Sequence, residues 1–361
     1  VNRHLFVRHA GFGDVIMATP LVRAIRKDAP QARLDFYSTM PWAVAGVAGV
    51  GEQIEMSEKS LDEISDRYEA IHYLCYEHAL GLHSVDGYCA STGVLTDDKT
   101  PTYVVADEER ELARRLVTAQ GGMGRRLIGV QAGGRDSHRT CPLSRVQALI
   151  DLIAKRLPDV AVVALAAELL VLHNCINLCG AIRRARIAAA VVSLCDYYVT
   201  TDSGFMHVAQ ALSIPTVAIF GATLPELRVT RPETVHVTRH PGLSCLGCWH
   251  EMAPYSEGLP GCRRVDVACM RALPVETIWA KLEALMRGDR DADLQGRVER
   301  YETRRIEFFA RQYSRETQQA ISRAYDRRIA AVREELRKRN SLLHRSRRYL
   351  RKKVDALLPR R

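Results

Sequence analysis

Apolar residues in this chain come in short runs, each followed by a longer stretch in which they recur at helical spacing, and this alternation predicts strands feeding helices. Leu5-Phe6-Val7 reads as a buried strand, His9 to Asp14 as a loop, and Val15-Ile16-Met17-Ala18 as the opening of a helix through Leu21, Val22, Ala24 and Ile25. Leu34 to Tyr37 is the next strand. The pattern weakens over 41–101, where Glu69 to Leu74 reads as a strand and His83 to Tyr88 leads into a short helix closing near Gly93. His72, His78 and His83 read as scattered surface histidines. Asp107 to Gln120 is a charged amphipathic helix, and Gly121-Gly122-Met123-Gly124 after it marks a boundary. A second series then begins. Leu127 to Gln131 is a strand, Pro142 to Leu157 a helix and Val160 to Leu165 a strand. Asn177 to Gly180 is a short strand and turn, and Ile187 to Leu194 a helix. Tyr197-Tyr198-Val199 is β-prone, His207 to Leu212 is rich in helix formers and Pro215 to Gly221 reads as another buried strand, which makes one further βαβ unit around the turn at Thr200 to His207.

Two loops in this pattern carry chemistry. In Thr201-Asp202-Ser203-Gly204, Asp202 or Ser203 is placed to cap the helix, and Gly204 lets a ligand approach the backbone. The free N–H groups and dipole of that helix favour an anion such as a diphosphate, and His207, one turn in, can reach it. In the first βα unit, the loop with Gly11 and Gly13 puts Asp14 at the carboxyl end of the first strand, where open α/β sheets hold ligands. A helix-start aspartate is also a common answer to the helix dipole. Gly11 to Ile16 lacks the third glycine of the dinucleotide fingerprint.

Composition changes the picture in three ways. At 361 residues, with 47% hydrophobic residues and 23 glycines, the chain accommodates two ordinary α/β domains and an appendage. No run of about 18 apolar residues suggests a membrane span, and the start lacks a signal-peptide pattern, so a cytoplasmic location is expected. The net charge of +10 is confined to one end: residues 287–361 hold 23 Lys+Arg against 11 Asp+Glu, leaving 29 against 31 for the rest. From about Leu294 to Leu358 the chain is helix-prone. Ile329, Leu336, Leu343, Leu350 and Leu357 recur every seven residues beside Arg345, Arg347, Arg348, Arg351, Lys352 and Lys353. An interfacial helix on an anionic membrane surface is the favoured reading. A helix packed on its own domain and a coiled coil are the alternatives. A specific nucleic-acid partner is not expected, since no RNA-stacking motif or zinc-finger helix is present.

Ten cysteines are distributed as six singles and one cluster, Cys245, Cys248, Cys262 and Cys269, spaced C-x2-C-x13-C-x6-C. In a chain of this class the cluster points to a structural four-thiolate zinc or iron site more than to disulfides. Free thiols or a redox pair are the alternatives, and His250 is a substitute ligand.

Gly11-Phe12-Gly13-Asp14-Val15-Ile16-Met17-Ala18-Thr19-Pro20 resembles the N-terminal loop of glycosyltransferase family 9, the ADP-heptose heptosyltransferases and their relatives. Asp202 to Leu212 with Pro215 to Thr223 resembles the family's nucleotide-sugar motif. The resemblance covers about residues 3 to 285. It implies a GT-B fold, with an acceptor-side Rossmann-like domain (1–122) facing a nucleotide-sugar domain (125–286, including the cysteine segment 245–269), followed here by the basic helical tail (294–361). It implies inverting transfer from an ADP-heptose-like donor to a glycan, lipid-linked or protein acceptor, without a catalytic metal. Asp14 matches the family's base. Arg139 stands where a lysine commonly neutralises the diphosphate, and Glu168 falls near the ribose-binding acid. Thr201, Asp202, Ser203, Gly204 and His207 complete the donor side. Cys141 replaces the family's tryptophan, and the short N-terminal half suggests a trimmed acceptor side, so lipopolysaccharide core is an expectation only. Some relatives carry an iron-bound cysteine finger at this place. A non-catalytic nucleotide-sugar- or glycan-binding relative is the competing reading.

Overall fold

Leu5, Phe6 and Val7 are fully buried at the centre of β1 (Arg3–Arg8), which is paired on both sides and so has no polar face. The computed structural model describes residues 2–312 apart from 10, 78, 80, 123, 135–136, 251–261, 263 and 265. After β1 come α1 (Phe12–Ile16), α2 (Thr19–Asp28), β2 (Arg33–Ser38), β3 (Val50–Glu55), β4 (Ala70–Tyr73), α3 (Ser84–Thr92) and α4 (Asp107–Thr118). The four strands form a parallel sheet in the order β3-β2-β1-β4. The single helix expected from Val15 is two helices. Its first turn starts at Phe12, so Asp14 lies inside α1, and Pro20 restarts the chain in the first turn of α2.

The second half runs β5 (Arg126–Gln131), α5 (Leu143–Arg156), β6 (Val160–Leu165), β7 (Ile176–Asn177), α6 (Ala185–Val192), β8 (Tyr197–Thr201), α7 (Gly204–Ala211), β9 (Thr216–Ile219), β10 (Val235–Thr238), α8 (Ala268–Arg271), α9 (Val275–Met286) and α10 (Ala292–Gln312). Its six-stranded parallel sheet has the order β10-β9-β8-β5-β6-β7. Both sheets reverse direction once. The first turns back between β1 and β4 and the second between β5 and β8, and a crevice opens at the carboxyl ends of the strands at such a switch point. Those ends deliver Arg8 and the 74–77 segment from one sheet, and Gln131 and Thr201 from the other.

The two halves meet through glycine. A Cβ on Gly13 would stand 2.8 Å from the Gly204 Cα and 2.8 Å from His207 Cδ2, and one on Gly204 would stand 3.0 Å from the Gly13 amide nitrogen. The Phe12 and Phe205 rings lie 5.6 Å apart beside this contact. Gly204 thus serves the approach of one half to the other, where the sequence suggested the approach of a ligand.

The polar stretch 288–293, between the expected nucleotide-sugar domain (125–286) and tail (294–361), is built into the fold. Asp291 is 4% exposed and its Oδ2 accepts from Val237 N and Lys281 Nζ, both at 2.8 Å. α10 then buries Leu294 against Met206, Phe220 and Val235 of the second half. The middle of α10 reaches the first half: Tyr301 OH donates to Asp86 Oδ2 at 2.6 Å and accepts from His83 N at 2.8 Å, and Arg305 Nε donates to Asp86 Oδ1 at 2.7 Å. His83, read as a surface histidine, is 1% exposed and its Nδ1 accepts from Val85 N at the start of α3. No described helix is long and apolar enough to cross a membrane. The seven-residue stripe at 329–357 and its basic neighbours lie outside the described residues.

Candidate functional site

Asp14 is held at both carboxylate oxygens. Gly11 N donates to Oδ2 at 3.0 Å, which is the dipole-satisfying role open to any acid at a helix start. Tyr76 OH donates to Oδ1 at 3.0 Å, and Tyr88 OH donates to the Asp14 carbonyl at 3.0 Å. Beneath lies Arg8, its side chain 1% exposed, whose Nη2 stands 3.6 Å from Asp14 Oδ1. Arg8 is clamped by Glu77 through two bonds of 3.0 and 2.7 Å and lies over the Tyr76 and Tyr88 rings. Burial works to raise the Glu77 pKa, but the charge and hydrogen bonds of Arg8 outweigh it and bring it down to about 2. The Tyr76 phenol is pushed well above its ordinary range by burial and then by Asp14 and Glu77. It is therefore a fixed donor to Asp14, whose side chain keeps 28% exposure to the cleft.

On the facing half, α7 starts directly after β8, and Ser203 occupies its N-cap without a side-chain bond to the helix. The Ser203 hydroxyl instead donates to Gln131 Oε1 at 2.7 Å, so the capping expected of Asp202 or Ser203 does not form and the first turn keeps its N–H groups. Gln131 ties the site together, because its Nε2 donates to the Gly133 carbonyl at 2.9 Å. Gly133 in turn adjoins Glu168, where an added Cβ would meet Oε2 at 2.5 Å. Thr201 is 4% exposed at the end of β8.

Asp202 is 3% exposed and Arg139 reaches its Oδ2 at 3.9 Å. Burial works to raise the Asp202 pKa, but Arg139, Arg228 and His207 hold it below the ordinary carboxylate range. His207 is 7% exposed and its Nδ1 has no hydrogen-bond partner. Burial brings its pKa down to about 4 against the pull of Asp202 and Asp14. Near neutral pH His207 is therefore a neutral imidazole offering an N–H. Asp14 and His207 lie within electrostatic reach across the cleft, although 192 positions separate them in the chain.

Sequence reasoning missed Arg8, Tyr76, Glu77, Tyr88, Gln131 and Arg228. The one available signal was a charge closing an apolar strand, Arg8 after Leu5-Phe6-Val7. Nothing in the weakly patterned 41–101 stretch singled out Tyr76.

The cysteine segment is pinned to the end of β9, where Gly247 N and Trp249 N donate to the Gly221 and Ala222 carbonyls at 2.9 Å. Cys269 packs from the other side, so that a Cβ on Gly221 would meet its Sγ at 2.7 Å. Burial raises the Cys269 thiol to about 11, with Cys248, Cys262 and Cys245 adding to the rise. Among the described residues, no group of three or more potential ligands stands at metal-binding geometry.

The resemblance read from the sequence holds. The family model described as Glycosyltransferase family 9 (heptosyltransferase) matches residues 96–252. Lipooligosaccharide heptosyltransferase 2 of Campylobacter jejuni is 29% identical over 96 residues, a match spanning 26% of this chain and 27% of that protein. Among solved structures, E. coli ADP-heptose lps heptosyltransferase II superposes with a TM-score of 0.54 at 17% identity, covering 79% of this chain and 98% of that one. The iron-containing dodecameric glycosyltransferase TibC from enterotoxigenic E. coli gives 0.60 at 12% identity, covering 79% and 78%. Identities this low establish the fold alone: two parallel α/β sheets facing a cleft, the GT-B arrangement.

Proposed function

Proceeding from the glycosyltransferase family 9 match, we propose that this protein is an inverting glycosyltransferase that moves a heptose or related sugar from an ADP-sugar to an acceptor hydroxyl. The observation that carries the reading is the meeting of Asp14 with the uncapped start of α7 and His207 in one cleft. The acceptor oxygen attacks the anomeric carbon and its proton passes to Asp14. The bond from that carbon to the diphosphate oxygen breaks, and the diphosphate leaves with the electron pair. Charge developing on it meets donors already in place, the α7 N–H groups and His207, with Arg139 as the partly exposed cation. Arg139 is a planar fork where a lysine is a point charge, so it favours two-point contact with phosphate oxygens. Glu168, on the exposed loop beside Gly133, is assigned to the nucleotide ribose. No step uses a metal. The acceptor is a glycan, lipid-linked or protein hydroxyl, lipooligosaccharide core among them, and a basic tail on an anionic leaflet would suit a lipid-linked one.

Calorimetric titration with ADP, UDP and GDP tests the donor. Selective ADP binding is expected, weakened roughly tenfold in His207→Ala through loss of one hydrogen bond to a charged group. Preference for another nucleotide changes the donor, and no binding to any of them favours a non-catalytic relative.

The four cysteines fit a structural thiolate site in donor type and in the influence that Cys248, Cys262 and Cys245 have on the Cys269 thiol, and TibC is described as iron-containing. Such a metal would staple the glycine- and proline-rich segment and take no part in transfer. Metal analysis of the purified chain is expected to find about one zinc or iron per protein. Absence of both, with four titratable thiols and an intact fold, would remove the site.

A further inference from the structure

Arg228 is 5% exposed, yet among the described residues no carboxylate lies within 4.0 Å of its guanidinium. Three other deeply placed arginines each have one: Arg8 is clamped by Glu77, Arg186 by Glu109 and Arg305 by Asp86. A buried cation without a counter-ion is costly and rarely retained. Arg228 is nonetheless held firmly. Its Nη1 donates to Ser84 Oγ at 2.8 Å and to the Leu227 carbonyl at 2.9 Å. Its guanidinium lies 5.0 Å from the Tyr76 ring and 5.2 Å from the Trp249 ring. It therefore touches the first half through Ser84 and Tyr76, the second through the neighbouring Leu227 carbonyl, and the cysteine segment through Trp249.

Its charge is felt at Asp202, His207 and Tyr76, the groups that line both sides of the cleft. Arg139 reaches the same Asp202 from the opposite loop with a side chain 41% exposed. Arg139 thus stands at the uncapped start of α7, where the buried His207 Nδ1 also has no partner, and Arg228 lies against the Tyr76 ring whose hydroxyl holds Asp14 on the facing side. Anions bind where free N–H groups and a fixed fork converge.

We propose that Arg228 binds the leaving end of the donor diphosphate, the phosphate bonded to the sugar. This rests on the nucleotide-sugar reading above and adds the residue that grips the phosphate on the side of the acceptor half. Tyr76 is shared: one face of its environment holds Arg228 and its hydroxyl holds Asp14, so the cation for the leaving group and the base for the nucleophile are set against one ring.

The test is the ratio of ADP to AMP affinity, measured by calorimetry on the full chain. AMP lacks the terminal phosphate, so a purely structural role would lower both affinities together and leave the ratio unchanged. In Arg228→Gln the ratio is expected to fall roughly 10- to 100-fold, the worth of one charge-assisted contact. An unchanged ratio overturns the proposal. If Arg228→Gln does not fold, Arg228→Lys carries the test, since it keeps the charge and loses the fork. A several-fold fall in the ratio supports the assignment, and a ratio equal to that of the unaltered chain overturns it. Failure of the unaltered chain to bind ADP, UDP or GDP would instead take down the nucleotide-sugar reading, and this assignment with it.

Discussion

Asp14→Asn is expected to lower kcat by about 10²- to 10⁴-fold, the usual contribution of a positioned general base. The amide keeps the size of the side chain, and its oxygen can still accept from Gly11 N, so α1 retains its start. What it cannot do is take a proton. Arg8 loses one anionic neighbour at 3.6 Å but keeps its clamp on Glu77, so the floor of the site stays paired. The donor is assigned to the other half, around α7, and ADP affinity is expected to stay within about threefold, a change of under 1 kcal/mol. Steady-state turnover with calorimetry on the same preparation separates the two effects. Turnover close to that of the unaltered enzyme would remove Asp14 from the mechanism.

The second large effect is on stability. Asp86 is fully buried and receives Tyr301 OH, Arg305 Nε and Lys99 Nζ, the last at 3.1 Å. Lys99 is paired with Glu302 as well, and Arg305 with Asp97 at 3.2 Å. Asp86→Ala leaves two cations facing a small apolar side chain, and breaking a buried pair from one side costs about 3–5 kcal/mol. The loss is expected to concentrate in α10, whose hold on the first half runs through this carboxylate. Denaturant unfolding together with hydrogen exchange along α10 reads it. Asp86→Asn, which still accepts from Tyr301, is expected to lose less. Unchanged stability and unchanged exchange in Asp86→Ala would show that α10 is held by its apolar contacts alone.

The strands and helices were largely legible because burial on both faces of a parallel sheet forces apolar runs, and Leu5-Phe6-Val7, Val160 to Leu165 and Pro215 to Phe220 all follow that rule. Boundaries were less so. Helix α1 starts at Phe12, which moves Asp14 from the loop into α1, and Pro20 begins a second helix where one was expected. The stretch 288–293 falls between the expected domain and tail, and Asp289, Asp291 and Asp293 give it no apolar pattern that would place it in the fold. Only packing shows Asp291 capping α10 and paired with Lys281. His83 looked like a surface residue for the same reason: a polar side chain gives no sign of burial until its neighbours are in place.

By itself the sequence determined the α/β class, the two series of strands, the loop around Asp14 and the strand-turn-helix that carries His207, because local periodicity and turn chemistry act within a few residues. The tertiary structure alone decided which of these loops share a cleft. Gly13 against Gly204 sets the two halves close enough for Asp14 to act on His207, and the switch points of the two sheets aim both loops at that spot. It also decided that Arg8 lies under Asp14, that Tyr76 serves both Asp14 and Arg228, and that α10 returns to the first half. These are contacts between residues far apart in the chain, fixed by the packing of whole layers, and no periodicity in the sequence encodes them.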